Sequence, residues 1–283
     1  KERASQHSVQ YLVPQTLGSE ADGQYATVID AILWQSGMKN IMLAAPIIEY
    51  VPEQTADLDL FARAIMTGDL LYAIPSEKRN CFDVSSILEW SELEQLAKRI
   101  AKLTAKSTVL GVTGTPMCLS VLNDGILDEL EKEYTILIEY LYFLWRENRC
   151  GEKKGKMLAG HKQAPSKEIM ETIGLHMKTI GTLLGKQNSF SADIQSLSDT
   201  ADMYLRDFAG GNGRYRFAKT LELAKRTDAM LTVAPRYENT SIILQMRGLK
   251  QACETPLYEI EVDQDWDETA WSKLRAFLYY VKA

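Results

Sequence analysis

Histidine and cysteine are scarce: three and four residues in a chain of 283. The cysteines, Cys81, Cys118, Cys150 and Cys253, form no C-x-x-C pair. His7, His161 and His176 do not fall at zinc spacing from any of them. A zinc finger or ribbon is therefore not expected, and isolated thiols of a reduced intracellular protein are. Long apolar runs are also missing. The longest candidate, Ile136 to Trp145, is interrupted by Glu139 and bounded by Arg146, well short of the roughly 20 residues that cross a bilayer. Lys1 to Gln10 contain no hydrophobic segment, so no signal peptide is read there. A cytoplasmic protein without membrane association is expected. Nucleotide and hydrolase signatures are absent too: no P-loop, H-E-x-x-H, G-x-S-x-G or dinucleotide fingerprint occurs. Gly111-Val112-Thr113-Gly114-Thr115 is glycine-bearing but short, and lacks the lysine of a triphosphate site. No cofactor, no metal and no enzyme activity are expected, although a site built from scattered residues would leave no motif.

Present instead is an uneven distribution of charge. Residues 1–145 hold 11 Lys+Arg against 20 Asp+Glu, residues 146–250 hold 18 against 11, and residues 251–283 hold 3 against 7. The chain as a whole carries −6. The cations concentrate in two clusters. The first contains Arg146, Arg149, Lys153, Lys154, Lys156, Lys162 and Lys167; the second contains Arg214, Arg216, Lys219, Lys225 and Arg226. Local excess inside an acidic protein suits a polyanion, because phosphates respond to nearby fields and not to the overall pI. The alternative is a solvated surface whose cations neutralise acidic neighbours.

Apolar content of 46% and charged content of 25% are those of a globular protein. Periodicity predicts a mostly α protein with a minor β contribution near the N-terminus. Residues 1–24 read as an N-terminal arm, with Pro14, Gly18 and Gly23 as punctuation. Residues 25–209 read as a mainly helical lobe with a basic loop at 146–167. Residues 210–283 read as a basic helix followed by an acidic, helical C-terminal region. Within these, helices are predicted at Tyr25–Gln35, Leu58–Met66 (stopped by Gly68), Lys167–Leu184, Asp199–Phe208, Arg214–Leu231 and Thr269–Val281. Ser91 with Glu94 suggests a capping box. Ile41–Ala45 is either a strand or the approach to a helix starting at Pro46. Thr108–Thr115, with two glycines before Pro116, reads as a connection. Ile126–Trp145 is the strongest helical pattern, with Leu127, Leu130, Tyr134, Leu137, Ile138 and Leu141 at three- and four-residue spacing.

Arg146 and Arg149 would lie about one turn apart on one side of that helix and hold successive phosphates. Lys153, Lys154 and Lys156 sit among glycines in a segment able to close over a strand. Gly210-Gly211-Asn212-Gly213 permits close approach of backbone to phosphate. Arg214, Tyr215, Arg216 and then Phe217 interleave cations with rings, the mixture used for single-stranded nucleic acid, and Lys219, Lys225 and Arg226 extend it. Asp57/Asp59 and Asp263/Asp265 read as solvated acidic pairs, and His176 as a core histidine.

Three segments resemble the N-terminal lobe of rhabdovirus nucleoproteins. They are Ile32-Leu33-Trp34-Gln35-Ser36-Gly37 with Asn40-Ile41-Met42; Tyr140 to Arg146 with Arg149; and Asp202-Met203-Tyr204-Leu205, Phe208, Arg214-Tyr215 and Lys225-Arg226. The resemblance implies a helical protein that coats single-stranded RNA through Arg146, Arg149, Lys154 and Arg214. It also implies contacts with copies of itself, assigned here to the arm Ser8–Gly23, and a place in a virion or ribonucleoprotein. About 67 residues follow Arg216, fewer than the family's second lobe needs. The alternatives are a helical subunit of a CRISPR effector complex, a protein-interaction scaffold without nucleic acid, and an enzyme with unrecognised motifs.

Overall fold

The computed structural model describes residues 9–12, 25–38, 41–44, 55–82, 84, 86–103, 106–114, 125–138, 167–190, 194–205, 213–235, 248–262 and 267–282. The chain divides into two compact units, Lys1–Val51 and Pro52–Ala283. The first unit is a strand–helix–strand: β1 (Val9–Leu12), α1 (Tyr25–Gln35) and β2 (Ile41–Ala44). The two strands pair in parallel, Val9 opposite Ile41 through Leu12 opposite Ala44. A parallel pair needs a crossover, and α1 supplies it. Gly37 follows the helix with φ of 69°, a conformation that side chains disfavour, and so ends it.

The second unit contains α2 (Thr55–Tyr72), a 3-10 turn at Ser76–Cys81, α3 (Trp90–Ala101), β3 (Val109–Gly114), α4 (Ile126–Glu131), β4 (Thr135–Ile138), α5 (Lys167–Leu184), a 3-10 turn at Gly185–Gln187, α6 (Ile194–Tyr204), α7 (Gly213–Ala224), β5 (Ala229–Pro235), β6 (Leu257–Val262) and α8 (Glu268–Lys282). The described residues are mostly helical. The expectation of a minor β contribution near the N-terminus nevertheless left out the larger sheet. Four strands, in the order β4-β3-β5-β6, form one all-parallel sheet in this unit. β3 and β5 lie on either side of position 209/210 in sequence and are neighbours in that sheet.

Two segments account for the difference. Residues 109–114, read as a connection, form the central strand β3. Ile126–Trp145, read as one helix, is helical only to Glu131; Thr135–Ile138 is a strand, and residues 139–145 lie outside the described ones. A strand buried on both faces is a short continuous apolar run, and periodicity does not separate it from helix. The helix predicted to Leu231 stops at Ala224, and Ala229–Pro235 becomes β5. α2 runs through Gly68 to Tyr72. α3 begins at Trp90, and its capping box is built from Glu89 and Glu92, not from Ser91 and Glu94.

Alternating side chains of the sheet feed two cores. On one face Leu110, Val112, Leu231, Val233 and Ile260 pack with Ile126, Leu127 and Leu130 of α4 and with Leu274 and Leu278 of α8. On the other face Leu137 and Met230 pack against Leu223 and Ala224 of α7. The β3-to-β4 connection carries α4, and the oppositely directed β4-to-β5 connection carries α7. Crossovers of one hand that run in opposite directions put their helices on opposite faces. The sheet is therefore wound in both directions from β3 and β5. A further layer is helical: Ala62, Met66 and Leu70 of α2, Leu93, Ala97 and Ile100 of α3, and Ile173, Met177, Ile180 and Leu184 of α5 are all buried. Arg63 ties this layer together through Asp59 at 2.8 Å and Glu89 at 2.7 Å. The Trp90 indole N–H also donates to Asp59, at 2.8 Å.

Two glycines give opposite expectations. A Cβ at Gly114 would run into the Val233 carbonyl on the adjacent strand, where only backbone could yield. Gly174 lies inside α5, and a Cβ there meets nothing within 4 Å. Gly114→Ala should lower stability by about 1–3 kcal/mol, as overpacking does. Gly174→Ala should raise it by about 0.5–1 kcal/mol through helix propensity. Urea unfolding of the two variants checks both signs.

Candidate functional site at the carboxyl edge of the sheet

The site is positioned by α7. Four residues separate its end at Ala224 from β5 at Ala229, so it runs antiparallel to the strands. Thr220, midway along α7, meets Thr113 near the end of β3; Leu223, further along, lies over Gly111, earlier in the strand. The N-terminus of α7 therefore faces the carboxyl edge of the sheet. It begins seven residues before Thr220, and β5 continues three residues beyond Thr232, the register partner of Thr113. Both rise about 10 Å past the Thr113–Thr220 contact. They flank the end of β3, where Gly114 allows β5 to approach closely.

That edge is polar although the sheet is apolar. Thr113, Thr220, Thr232 and Arg216 are all buried. The Thr220 hydroxyl donates to the Arg216 carbonyl at 2.8 Å. Its single hydrogen is thereby used, so in the 2.7 Å contact between the two hydroxyls Thr113 is the donor. Arg216 precedes Thr220 by four residues and lies on the same side of α7. Thr232 is 3% exposed, and its hydroxyl has no hydrogen-bond partner among the described residues. On the next strand Glu259 is in register with Thr232. Burial pushes the Glu259 carboxyl above its ordinary 4.5; Lys250 opposes the shift and Glu261 adds to it.

The second basic cluster is divided by this arrangement. Lys219 is 1% exposed, its ammonium donating to the Ser189 carbonyl, with Glu222 at 3.9 Å. Arg226 donates to the carbonyls of Asn188 and Phe190 and sits 3.6 Å from Glu222. These two cations clamp the turn between α5 and α6 onto α7. Lys225 is exposed at the C-terminal end of the helix, ten residues or about 15 Å along the axis from the level of Tyr215. Arg214 and Tyr215 are in the first turn of α7, at the carboxyl edge of the sheet. Arg146, Arg149, Lys153, Lys154 and Lys156 lie outside the described residues, as do Gly210, Gly211 and Asn212. Of the second cluster, the structure brings Arg216 to the site and gives Lys219 and Arg226 internal work.

Other residues singled out from the sequence have structural partners. Asp59 accepts from Arg63 and Trp90. His176 is half-buried and stacks on Trp90, with ring centres 4.5 Å apart and planes 5° from parallel. Cys81 and Cys253 are free thiols. Among the described residues no cluster of three or more His, Cys, Asp and Glu side chains is placed to hold a metal. No helix among them is long and apolar enough to cross a membrane. Thr113, Thr220 and Thr232 were not anticipated. The one sequence signal is Gly111-Val112-Thr113-Gly114-Thr115, which is too short for a triphosphate site and lacks its lysine. Compared with protein-family models, curated proteins and solved structures, the chain matches none.

Two measurements follow from this geometry. Thr232→Val exchanges an unsatisfied hydroxyl for a methyl and should leave stability unchanged or raise it by about 1 kcal/mol; Thr113→Val removes a made bond and should cost about 1 kcal/mol. For Glu259 the folded state binds its proton more tightly than the unfolded chain does. Between the ordinary 4.5 and the raised folded value the unfolded state ionises first, so stability falls as pH rises through that window. Glu259→Gln should flatten the fall in thermal melts recorded from pH 4 to pH 7.

Proposed function

We propose that the second unit is a binding domain for a small phosphate-bearing molecule, held at the carboxyl edge of the sheet between β3 and β5. The observation that carries this reading is the strand order β4-β3-β5-β6. From β3 the chain departs toward β4, and from β5 it departs toward β6. Connections that leave in opposite directions open a crevice between the two strands, and ligands of parallel α/β sheets occupy that crevice.

The chemistry of the edge supports an anion. The N-terminus of α7 offers the positive end of its dipole and first-turn N–H groups for which the helix itself has no acceptor. Arg216 adds a fixed charge with forked donors suited to phosphate oxygens. The Thr232 hydroxyl supplies a donor already stripped of water. Glu259 limits the anion to the β3 side of β5, since a carboxylate would repel it. The sequence preceding α7, Gly210-Gly211-Asn212, is of the kind that lets backbone approach phosphate.

The rival is the coating of single-stranded RNA, which rests on the basic sequence from Arg146 to Lys167 and on the nucleoprotein resemblance. The two readings separate in one experiment. Calorimetric titration with inorganic pyrophosphate, and with a single-stranded RNA of about a dozen nucleotides, is run on the unaltered protein and on Arg216→Gln. The proposal expects saturable one-to-one binding of pyrophosphate, weakened tenfold or more in Arg216→Gln, in line with about 1.5–3 kcal/mol for a charged hydrogen bond. Binding of RNA alone, falling steeply with salt and indifferent to Arg216→Gln, would overturn it in favour of RNA coating.

A further inference from the structure

β6 ends the sheet, and its outer edge is unpaired among the described residues. The Met230 N–H donates to the Pro256 carbonyl at 2.8 Å. In a parallel ladder alternate residues bond to one neighbour, so Tyr258, Ile260 and Val262 direct their peptide groups to β5. Leu257, Glu259 and Glu261 direct theirs outward. A cavity of about 350 Å³ lies against this strand, lined by Tyr258, Glu259, Ile260 and Glu261 of β6, by Asp267, and by Thr269, Ala270 and Lys273 of α8. Acidic groups outnumber basic ones: Glu259, Glu261 and Asp267 against Lys273 in the lining and Lys250 near Glu259.

From this we infer that the outer edge of β6 docks an extended peptide of a partner protein, one carrying lysine or arginine at alternate positions. Strand addition supplies the affinity through main-chain bonds, and alternate side chains supply the selection. On the α7 face the incoming side chains lie beside Glu259 and Glu261, which select cations. On the α8 face they lie beside the half-buried Tyr258 and Ala270, which accept apolar groups. Charge argues against a second copy of this chain as occupant. Two β6 edges brought together would set Glu259 and Glu261 of each against those of the other, and facing like charges destabilise a strand pair. An open edge bearing inward charge is also how a sheet avoids pairing with itself. The docking site uses the far strand of the sheet and does not depend on the ligand proposed between β3 and β5.

The test uses a labelled synthetic peptide, Lys-Val-Lys-Val-Lys, and its Glu-Val-Glu-Val-Glu counterpart, with fluorescence anisotropy on the unaltered chain. The basic peptide should bind at least tenfold more tightly than the acidic one. Amide shifts should concentrate at Leu257, Glu259 and Glu261. Glu261→Pro removes an outward N–H together with one of the selecting carboxylates, leaves the ladder to β5 untouched, and should cut affinity tenfold or more. N-methylation of the basic peptide along its bonding edge tests the same main-chain bonds with the protein unaltered, and should do likewise. Equal binding of both peptides, binding indifferent to N-methylation, or a concentration-dependent dimer abolished by Glu261→Pro would each overturn the proposal.

Discussion

The parallel pairing of β3 with β5 is the constraint from which the second unit is built. It joins Leu110 to Ala229 and Gly114 to Val233, segments separated by more than a hundred residues. Everything between them, α4, β4, α5, α6 and α7, is the loop that this pairing closes. Loop-closure entropy must be met before such contacts return anything. The return is a double core. Leu110, Val112, Leu231 and Val233 are withdrawn from water on one face, and Met230 with Leu223 and Ala224 on the other. At roughly 1.5–3 kcal/mol for each fully buried aliphatic side chain, those contacts outweigh any single polar interaction in the unit. Gly114 is the steric condition of the pairing, because a side chain there meets the Val233 carbonyl.

The same pairing decides where function is sought. Because β3 and β5 are neighbours whose chains leave in opposite directions, the carboxyl edge between them is the polar end of an apolar sheet. Thr113, Thr220, Arg216 and Thr232 gather there. The cations of the second cluster are distributed by helix geometry. Arg216 stays at the edge, while Lys219 and Arg226 reach across to the carbonyls of residues 188–190. A buried ammonium with a carbonyl and Glu222 beside it organises the protein; it is not offered to solvent. The outer strand β6 applies the complementary rule, with carboxylates on an edge that no other described strand pairs.

Legibility in the sequence followed exposure. α5 and α8 have one wet face and one dry face, and Lys167–Leu184 and Thr269–Val281 were readable almost to the residue. α1 was readable through its stop at Gly37. Leu110–Thr113 of β3 and Leu137–Ile138 of β4 are buried whichever face they point to, so Val109–Gly114 and Thr135–Ile138 show no alternation to read. Ile126–Ile138 is instructive: Leu127, Leu130, Tyr134 and Ile138 keep helical spacing across a helix, a turn and a strand, because all of them enter one core. Glu259–Val262 was hidden by its acidic residues, which belong to an edge. Of the candidate site, Arg216 was visible as a charge. The threonines were not, since a hydroxyl gains meaning only from the strand opposite it, and register is not written locally.

The most direct measurement of this account is the cross-strand nuclear Overhauser spectrum of Val112 and Leu231, register partners at the centre of the β3–β5 ladder. The account predicts contacts linking the backbone protons of these residues and their neighbours in a parallel pattern, with the surrounding amides slow to exchange. If residues 109–114 instead exchange freely and show no proton contact with residues 229–233, the sheet, its carboxyl edge and the site built on that edge are all contradicted.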